Sequence, residues 1–414
     1  MIKSFITRGS LRYSPFRRFF FARSILLFGN AMTPVALAFA VLQAPHGQRL
    51  LGDILAGELL AHIIMLLIGG HLADRYRRDR ILLWTTLGFG LSQLCIAIIV
   101  LTGTNSTWIL PWAIIQGILT AFSEPALRGI VPEMVDTAHL QHANALLSTA
   151  RGFARIVGPA AAGFLVATWG GGWAIAVNAF SSFVASLLII RIHIPRAWKS
   201  TAPSIVHEMR QGWVYFRESQ WIWPITLAWA FLNALQMGAW QVLGPIIAQQ
   251  SFRSTGWGLI LSFKAAGILI AGLVLTRLRF SHPLRTTMLT AAVGGVPMII
   301  LGLEQSVPSL LTAAMVAGLG LGISTTLWDS ALQQGVPRDK ISRIMAFDDM
   351  GAFVFIPLAE IISVPIAHTF GLYTVERTAG FLFLITALAP ITCHGVRTMT
   401  THDIEAWALK QPLS

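Results

Sequence analysis

One apolar part of the chain ends in Gly69-Gly70-His71-Leu72-Ala73-Asp74-Arg75-Tyr76-Arg77-Arg78-Asp79-Arg80. Gly70 has no Cβ, so a neighbouring helix backbone can approach it closely. Asp74 lies where a membrane would end, and a carboxylate at that depth needs partners. The arginines that follow supply such partners and favour the cytoplasmic side of a membrane. The stretch therefore predicts a tight cytoplasmic turn between two membrane-spanning helices.

The composition of the whole chain points to the same environment. Of its 414 residues, 55% are hydrophobic and 12% are charged, and the mean hydropathy is +0.66. Soluble domains carry about 25% charged residues, so lipid is the natural solvent for this chain. The net charge of +12 does not predict a nucleic-acid partner, because the basic residues recur between apolar stretches instead of forming one patch.

Twelve apolar stretches are long enough to cross about 30 Å of hydrocarbon. They lie at 19–42, 51–73, 81–102, 107–127, 143–168, 172–194, 221–249, 256–277, 284–304, 307–331, 343–368 and 372–396. With the N-terminus inside, 24 of the 30 Lys and Arg residues fall in cytoplasmic segments and 3 in outer loops. This bias predicts a multi-pass protein of the cell (inner) membrane with both termini in the cytoplasm.

The longest cytoplasmic connection, 195–220, separates a six-helix bundle at 1–194 from another at 221–414. Apolar residues recur within it at helical spacing: Ile205, Met209, Trp213 and Phe216. This spacing predicts an amphipathic helix on the inner membrane surface, and a solvated linker is the alternative.

The two halves share a short pattern that indicates an internal repeat. Ala126-Leu127 and Val131-Pro132 recur 205 residues later as Ala331-Leu332 and Val336-Pro337. Repeats of this kind are typical of secondary transporters. We therefore predict an all-α membrane protein with twelve transmembrane helices in two pseudo-symmetric six-helix bundles.

The stretch at 69–80 resembles the signature loop of the major facilitator superfamily. The matching residues are Gly70, Leu72, Ala73, Asp74, Arg75 and Arg78. Arg77 replaces a glycine of that pattern, and Asp79 replaces a basic residue. The resemblance implies an alternating-access transporter in which this loop latches the two halves at the cytoplasmic side. It also implies that Asp74 meets the start of the eleventh helix near Asp348.

Other segments resemble the twelve-helix drug:proton antiporters, the branch with macrolide-efflux and enterobactin-exporter proteins. In the fifth stretch the resemblance covers Arg151, Arg155, Gly158 and Pro159, although only Gly163 follows where a glycine pair is common. It implies proton-coupled export of a small amphipathic or hydrophobic molecule by a monomer without a cofactor. An importer or uniporter of the same fold is an alternative, and so is a non-transporting receptor or assembly factor.

Ionisable residues inside the apolar stretches are candidates for proton coupling. Each costs roughly 2.5–3.5 kcal/mol to insert, so each needs a reason. Glu58 and Glu360 are the leading proton carriers, because a carboxylate facing a half-dry cavity can be neutral in one state and ionised in another. His62, one turn from Glu58, would share the proton. Lys264 is a further candidate, and a static ion pair with either glutamate is the alternative.

Side-chain amides in the apolar stretches are candidates for the substrate cavity, because they are costly in lipid unless they face a cavity or another helix. They are Asn30, Gln116, Asn233, Gln236 and Gln241. The sequence contains no Ser/His/Asp set, metal-ligand spacing or Walker-type nucleotide motif, so neither an enzyme nor a metal site is predicted.

Overall fold

The computed structural model describes residues 9–75, 77–192, 216–304, 306–337 and 341–410. These residues form helices joined by short turns, with no strand among them. A chain in lipid must satisfy its backbone hydrogen bonds internally, and a helix does so within each segment. The predicted amphipathic helix of the 195–220 connection lies almost entirely outside the described residues.

Six helices make up the first half of the chain. They are α1 (Ser14–Leu42), α2 (Gly47–Arg75), α3 (Arg78–Thr102), α4 (Ile109–Ile130), α5 (Leu140–Trp169) and α6 (Gly171–Ile189). Short 3-10 turns lie at Gly9–Arg12, Ser106–Trp108, Val131–Glu133 and Thr137–His139. Gly170 joins α5 to α6 with a φ of 90°, a left-handed conformation that favours glycine.

The second half has more interruptions. Its helices are α7 (Ile222–Leu235), α8 (Gly244–Ser251), α9 (Arg253–Leu275), α10 (Pro283–Ala292), α11 (Val296–Leu303), α12 (Val307–Gly335), α13 (Ile341–Phe353), α14 (Ile356–Phe370), α15 (Leu372–Leu388), α16 (His394–Thr398) and α17 (Thr401–Lys410). A π-helical segment, Gln236–Leu243, joins α7 to α8. Pro357 separates α13 from α14, because its ring excludes the carbonyl of the residue four positions earlier.

Within the described residues, ten helical segments are long and apolar enough to cross a membrane. They correspond to ten of the twelve predicted stretches. The remaining two are α2 and the seventh stretch, which is divided into pieces of 14, 8 and 8 residues. The protein is therefore a multi-pass membrane protein, and the count of twelve crossings stays a prediction at these two positions.

The chain divides into two compact units. The first comprises Met1–Ser200 and Phe252–Ser262, and the second comprises Thr201–Ser251 and Phe263–Ser414. In the first unit α2 packs against α4, and α1 and α3 pack against α6. In the second unit α11 packs against α15, and α10 packs against α12. The predicted bundle boundaries at 194 and 221 stay predictions, and the first unit includes the opening turns of α9.

Candidate functional site

Glu58 lies where α2 crosses α4 in the first unit. A Cβ added to Gly117 of α4 would overlap the Glu58 carbonyl oxygen, so glycine permits this close crossing. α2 begins at Gly47, before the predicted start at 51, so Glu58 lies about 17 Å along the helix from its first residue. Among the described residues, no ion pair or hydrogen bond holds its half-buried carboxylate.

His62 contacts a carboxylate that the sequence analysis did not select. Its Nε2 atom lies 3.9 Å from Oε2 of Glu124 in α4. The histidine is the more buried of the two side chains, at 19% exposed against 42%. Glu124 is therefore a carboxylate beside His62 in this unit, and the predicted sharing of a proton between His62 and Glu58 stays a prediction. The sequence did contain a signal for Glu124, because it is an acidic residue inside the fourth apolar stretch.

A cavity of about 240 Å³ opens between α1, α3, α4 and α6 of the first unit. Its polar and charged lining comprises Arg23, Asn30, Thr85, Thr86, Thr120, Ser123 and Glu124. The rest of the lining is apolar: Phe19, Leu26, Leu82, Phe89, Leu119, Leu127 and Ile189. Half of the lining is polar or charged, which is more than in a typical, mainly apolar small-molecule site. Of the predicted cavity amides, Asn30 lines this cavity.

Three arginines accompany Glu124 in the first unit. Arg23 lies within electrostatic range of Glu124 and of Arg151 in α5. Arg151 also lies within electrostatic range of Arg155, one turn further along α5. Arg23 lies within the first predicted stretch, 19–42, and in the third turn of α1, which begins at Ser14.

The predicted element around Gly158 and Pro159 lies at close helix contacts within the first unit. A Cβ on Gly158 would lie 2.5 Å from the Cβ of Ala31 in α1, so the two helices touch there. One turn on, the carbonyl of Gly163 accepts a 3.1 Å hydrogen bond from the Ser254 hydroxyl at the start of α9. Small residues therefore bring three helices together at this element.

The signature loop is partly described. Arg78 donates to the Gly129 carbonyl at 2.8 Å and pairs with Glu133, which ties the start of α3 to the end of α4. Arg77 pairs with Asp79 at 2.7 Å, and this carboxylate raises the pKa of the Arg77 guanidinium. The side chains of Asp74 and Arg75 and the surroundings of Gly70 lie outside what the structure describes, so the cytoplasmic latch stays a prediction.

Asp348, the predicted partner of that latch, is bound within the second unit. Its buried carboxylate accepts hydrogen bonds from the Thr226 hydroxyl of α7 and, at 2.8 Å, from the Trp328 indole N–H of α12. A buried carboxylate with two donors is well satisfied. Asp348 therefore links α13 to α7 and α12.

Lys264 occupies a helix crossing in the second unit. A Cβ on Gly318 of α12 would overlap the Lys264 carbonyl oxygen in α9. The Lys264 ammonium lies 5.5 Å from the centre of the Trp240 ring, a cation–π contact. No ion pair joins it to Glu360 within the described part of this unit. Glu360 is buried in α14, and its main-chain carbonyl accepts a 3.0 Å bond from Ser363.

Two of the predicted cavity amides hold helices together. Gln116 is 2% exposed; it accepts from the Gln93 amide at 3.2 Å and donates to Ser92 at 3.1 Å, between α3 and α4. Asn233 donates to the Ala352 carbonyl at 3.1 Å, between α7 and α13. Gln236 and Gln241 are half-buried in the π-helical segment. An amide in an apolar bundle gains most where both of its polar ends are bonded.

Glu376 of α15 is a second carboxylate that the sequence analysis did not select. The residue is 0% exposed, although the neighbouring Arg377 is exposed. Neither of its carboxylate oxygens has a hydrogen-bond partner among the described residues. An acidic residue within the first turns of the twelfth stretch was the available signal for it.

Comparisons with known proteins agree with this architecture. The Major Facilitator Superfamily profile matches residues 19–360. The crystal structure of a mutant of the nucleoside transporter NupG superimposes with a TM-score of 0.75 at 11% identity, covering 92% of this chain and 100% of that one. A likeness at this identity concerns the fold alone.

Several curated relatives match over most of their length. The multidrug efflux pump Tap of Mycolicibacterium fortuitum is 25% identical and covers 83% of this chain and 87% of that protein. Macrolide efflux protein A of Streptococcus pyogenes is 22% identical, with 88% and 92% covered. The enterobactin exporter EntS of Shigella boydii serotype 4 is 24% identical, with 80% and 79% covered.

Proposed function

Since this chain belongs to the Major Facilitator Superfamily and is a membrane transporter and not an enzyme, we propose that it exports a small amphipathic molecule in exchange for protons. It would do so as a monomer in the cell membrane, with both termini in the cytoplasm. Support for export comes from the relatives named as efflux pumps and exporters. The observation that carries proton exchange is Glu58, a carboxylate deep in a membrane helix without a partner among the described residues.

The cavity of the first unit is the proposed site for part of the cargo. Its apolar wall suits a hydrophobic ring or chain, and its hydroxyls suit ester, ether or hydroxyl groups of the cargo. Arg23 and Glu124 provide one charge of each sign within the same lining. A part of the cargo that carries both apolar and polar groups matches this mixed lining.

Glu58 and Glu360 are the proposed proton carriers. A carboxylate surrounded by apolar side chains favours its neutral form, and contact with water favours its ionised form. A conformational cycle that alternately buries and wets such a group moves protons across the membrane. His62 and Glu124, 3.9 Å apart, are positioned to relay a proton beside Glu58.

The test uses purified protein in proteoliposomes that contain a pH-sensitive dye, with a labelled macrolide and ethidium as separate probes. We expect probe movement to drive proton movement in the opposite direction, and Glu58→Gln and Glu360→Gln to reduce it at least tenfold. Glu304→Gln, which removes an exposed carboxylate just after α11, is the matched control. If both variants keep full coupling, the assignment of these carriers is wrong.

The direction of transport requires a second measurement. In energised everted membrane vesicles an exporter accumulates ethidium or the macrolide, whereas an importer does not. Accumulation only in right-side-out vesicles would favour the importer of the same fold.

A further inference from the structure

The most deeply buried acidic residue of the second unit has no part in the mechanism above. Glu376 is the fifth residue of α15, about 6 Å from the start of this helix. Its side chain has no exposed surface, and both carboxylate oxygens lack a hydrogen-bond partner in the part of the chain described. Buried polar groups are nearly always bonded, so each exception needs an explanation.

The elements around α15 supply almost no charge. α15 packs against α7, α8, α10, α11, α14 and the π-helical segment. α7, α8, α11 and the π-helical segment contain no titratable residue. The titratable residues of the others are Arg285 of α10, and Glu360 and His368 of α14. Arg377, the residue after Glu376 in α15, is exposed, and its Cβ atom lies against Gly302 of α11. Within the described ranges, no ion pair joins any of these residues to Glu376.

An ionised carboxylate cannot persist in such surroundings. With no donor or cation bound to it among the described residues, a buried carboxylate favours its protonated form over the charged one. Asp348 in the same unit shows the contrast, because two donors stabilise its carboxylate and link three helices. Glu376 links nothing by a hydrogen bond among the described residues, so packing alone gives no reason for an acid at this position. Its distinguishing property is that it can hold a proton.

Exposed surface lies one helical turn away from this carboxyl group. Tyr373, three residues earlier in α15, is exposed, and its hydroxyl donates to the Gln250 side chain of α8 at 3.4 Å. A small separation of α15 from α8 at this end would wet Glu376. Local opening at a helix end is among the least costly motions of a folded protein.

We propose that Glu376 is a proton-binding site of the second unit, neutral while it is buried and deprotonated when water reaches it between α15 and α8. The site would act in addition to Glu58 and Glu360. This inference rests on the proposed proton coupling for its role in transport, but the buried neutral acid can be tested separately.

The first experiment labels the wild-type protein with dicyclohexylcarbodiimide, which enters apolar regions and reacts with protonated carboxyl groups. The acid O–H adds across one C=N bond to give an O-acylisourea, which rearranges to a stable N-acylurea with no group lost. We expect mass spectrometry to locate the adduct on Glu376 at acidic pH and to show less of it as the pH rises. Exposed Glu304 should stay unlabelled. Absence of the adduct at acidic and neutral pH would overturn the proposal.

The second experiment measures the coupling of proton movement to probe movement in the Glu376→Gln variant. The glutamine amide has the shape of the neutral acid but cannot release a proton. In proteoliposomes we expect proton movement driven by ethidium or the macrolide to fall at least tenfold, while exchange of labelled for unlabelled probe continues. Glu376→Asp should keep coupling, and Glu304→Gln is the matched control. Full coupling in Glu376→Gln would overturn the inference.

The outcomes separate this inference from the proposed function. If the wild type moves its probe without protons, proton exchange fails as a function, and a role for Glu376 in coupling is overturned with it. The carbodiimide adduct then still decides whether Glu376 is a buried neutral acid. If Glu376→Gln does not fold, labelling of the wild type at varied pH gives the answer without any variant.

Discussion

The two units contain the same kind of helix crossing with opposite charges at its centre. In the first unit, the backbone of Glu58 in α2 contacts Gly117 of α4. In the second unit, the backbone of Lys264 in α9 contacts Gly318 of α12 in the same manner. α2 and α9 are the second helices of the two predicted repeats, and α4 and α12 are the fourth.

The difference between Glu58 and Lys264 shows that helix packing fixes the glycine at each crossing but does not fix the side chain of the residue that faces it. Close crossing of two helices needs a glycine, because any Cβ would strike the opposing carbonyl. The side chain of the residue that supplies this carbonyl is not constrained by that contact. Glu58 therefore offers a proton-binding carboxylate, whereas Lys264 offers a cation over the Trp240 ring. The glycine contact between two helices therefore occurs in both units, whereas the ionisable side chain next to it differs.

The largest effect is expected from filling the two crossings. Gly117→Leu and Gly318→Leu should each prevent α2 from packing on α4, or α9 on α12, because the new side chain overlaps the backbone of the facing helix. Overpacking in a well-packed core typically costs about 1–3 kcal/mol, and backbone overlap places these variants at the upper end. Fluorescence-detected size-exclusion chromatography after a heating series measures the loss of folded protein.

Gly272→Ala in α9 is the control for these variants, because a Cβ there meets nothing within 4 Å. It should leave stability unchanged or slightly raised, since alanine favours helix more than glycine does. Normal stability of only one leucine variant would show that the two crossings are not equivalent.

A transport effect should distinguish the two charges. Glu58→Gln should reduce coupled proton movement at least tenfold, whereas Lys264→Met should keep coupling, because a lysine with no carboxylate partner in the described part of its own unit has no proton-relay partner there. Both variants should retain the wild-type elution volume, since neither alters the glycine contact. Loss of coupling in Lys264→Met with coupling intact in Glu58→Gln would reverse the comparison.

The next prediction concerns Asp348, a carboxylate of the second unit that is held by two hydrogen bonds, unlike Glu58 of the first unit. Asp348→Asn should destabilise the protein by about 1–3 kcal/mol, because the new amide N–H₂ faces donors that previously met a carboxylate oxygen. Differential scanning fluorimetry measures this loss as a lower melting temperature. Glu304→Gln, at an exposed position just after α11, also removes a carboxylate charge of this unit and should change it little. Equal effects of the two variants would argue against the hydrogen-bond network as the cause.

The smallest effect concerns the contact of Lys264 with Trp240. A double-mutant cycle with Lys264→Met and Trp240→Leu should give a coupling energy of about 0.5–2 kcal/mol, the range of cation–π contacts. Chemical denaturation in mild detergent provides the stabilities of the four proteins. Strict additivity of the single changes would show that the ring does not stabilise this ammonium.

Much of the architecture was predictable from sequence, with errors at helix ends. The predicted start of the first stretch at 19 was five residues late, since α1 begins at Ser14. Hydropathy underestimates helix ends because a helix continues into polar residues as long as its backbone bonds are made.

The candidate site was less predictable. Glu58, His62 and Asn30 were selected because polar groups in apolar stretches are costly. Glu124 and Glu376 satisfied the same criterion but lay near the ends of their stretches, next to charged or proline residues that suggest a boundary. Whether such a residue is buried depends on which face of its helix meets a neighbour.

The sequence by itself determined that the chain lies in a membrane and how its apolar stretches are spaced. That information is local, because lipid solvates each stretch according to its own composition. Only the tertiary structure decided that His62 faces Glu124, that Asp348 is held by two donors, and that Glu376 has none among the described residues. Contacts between side chains tens of residues apart depend on the rotation and crossing of whole helices, and one turn of register changes every pair.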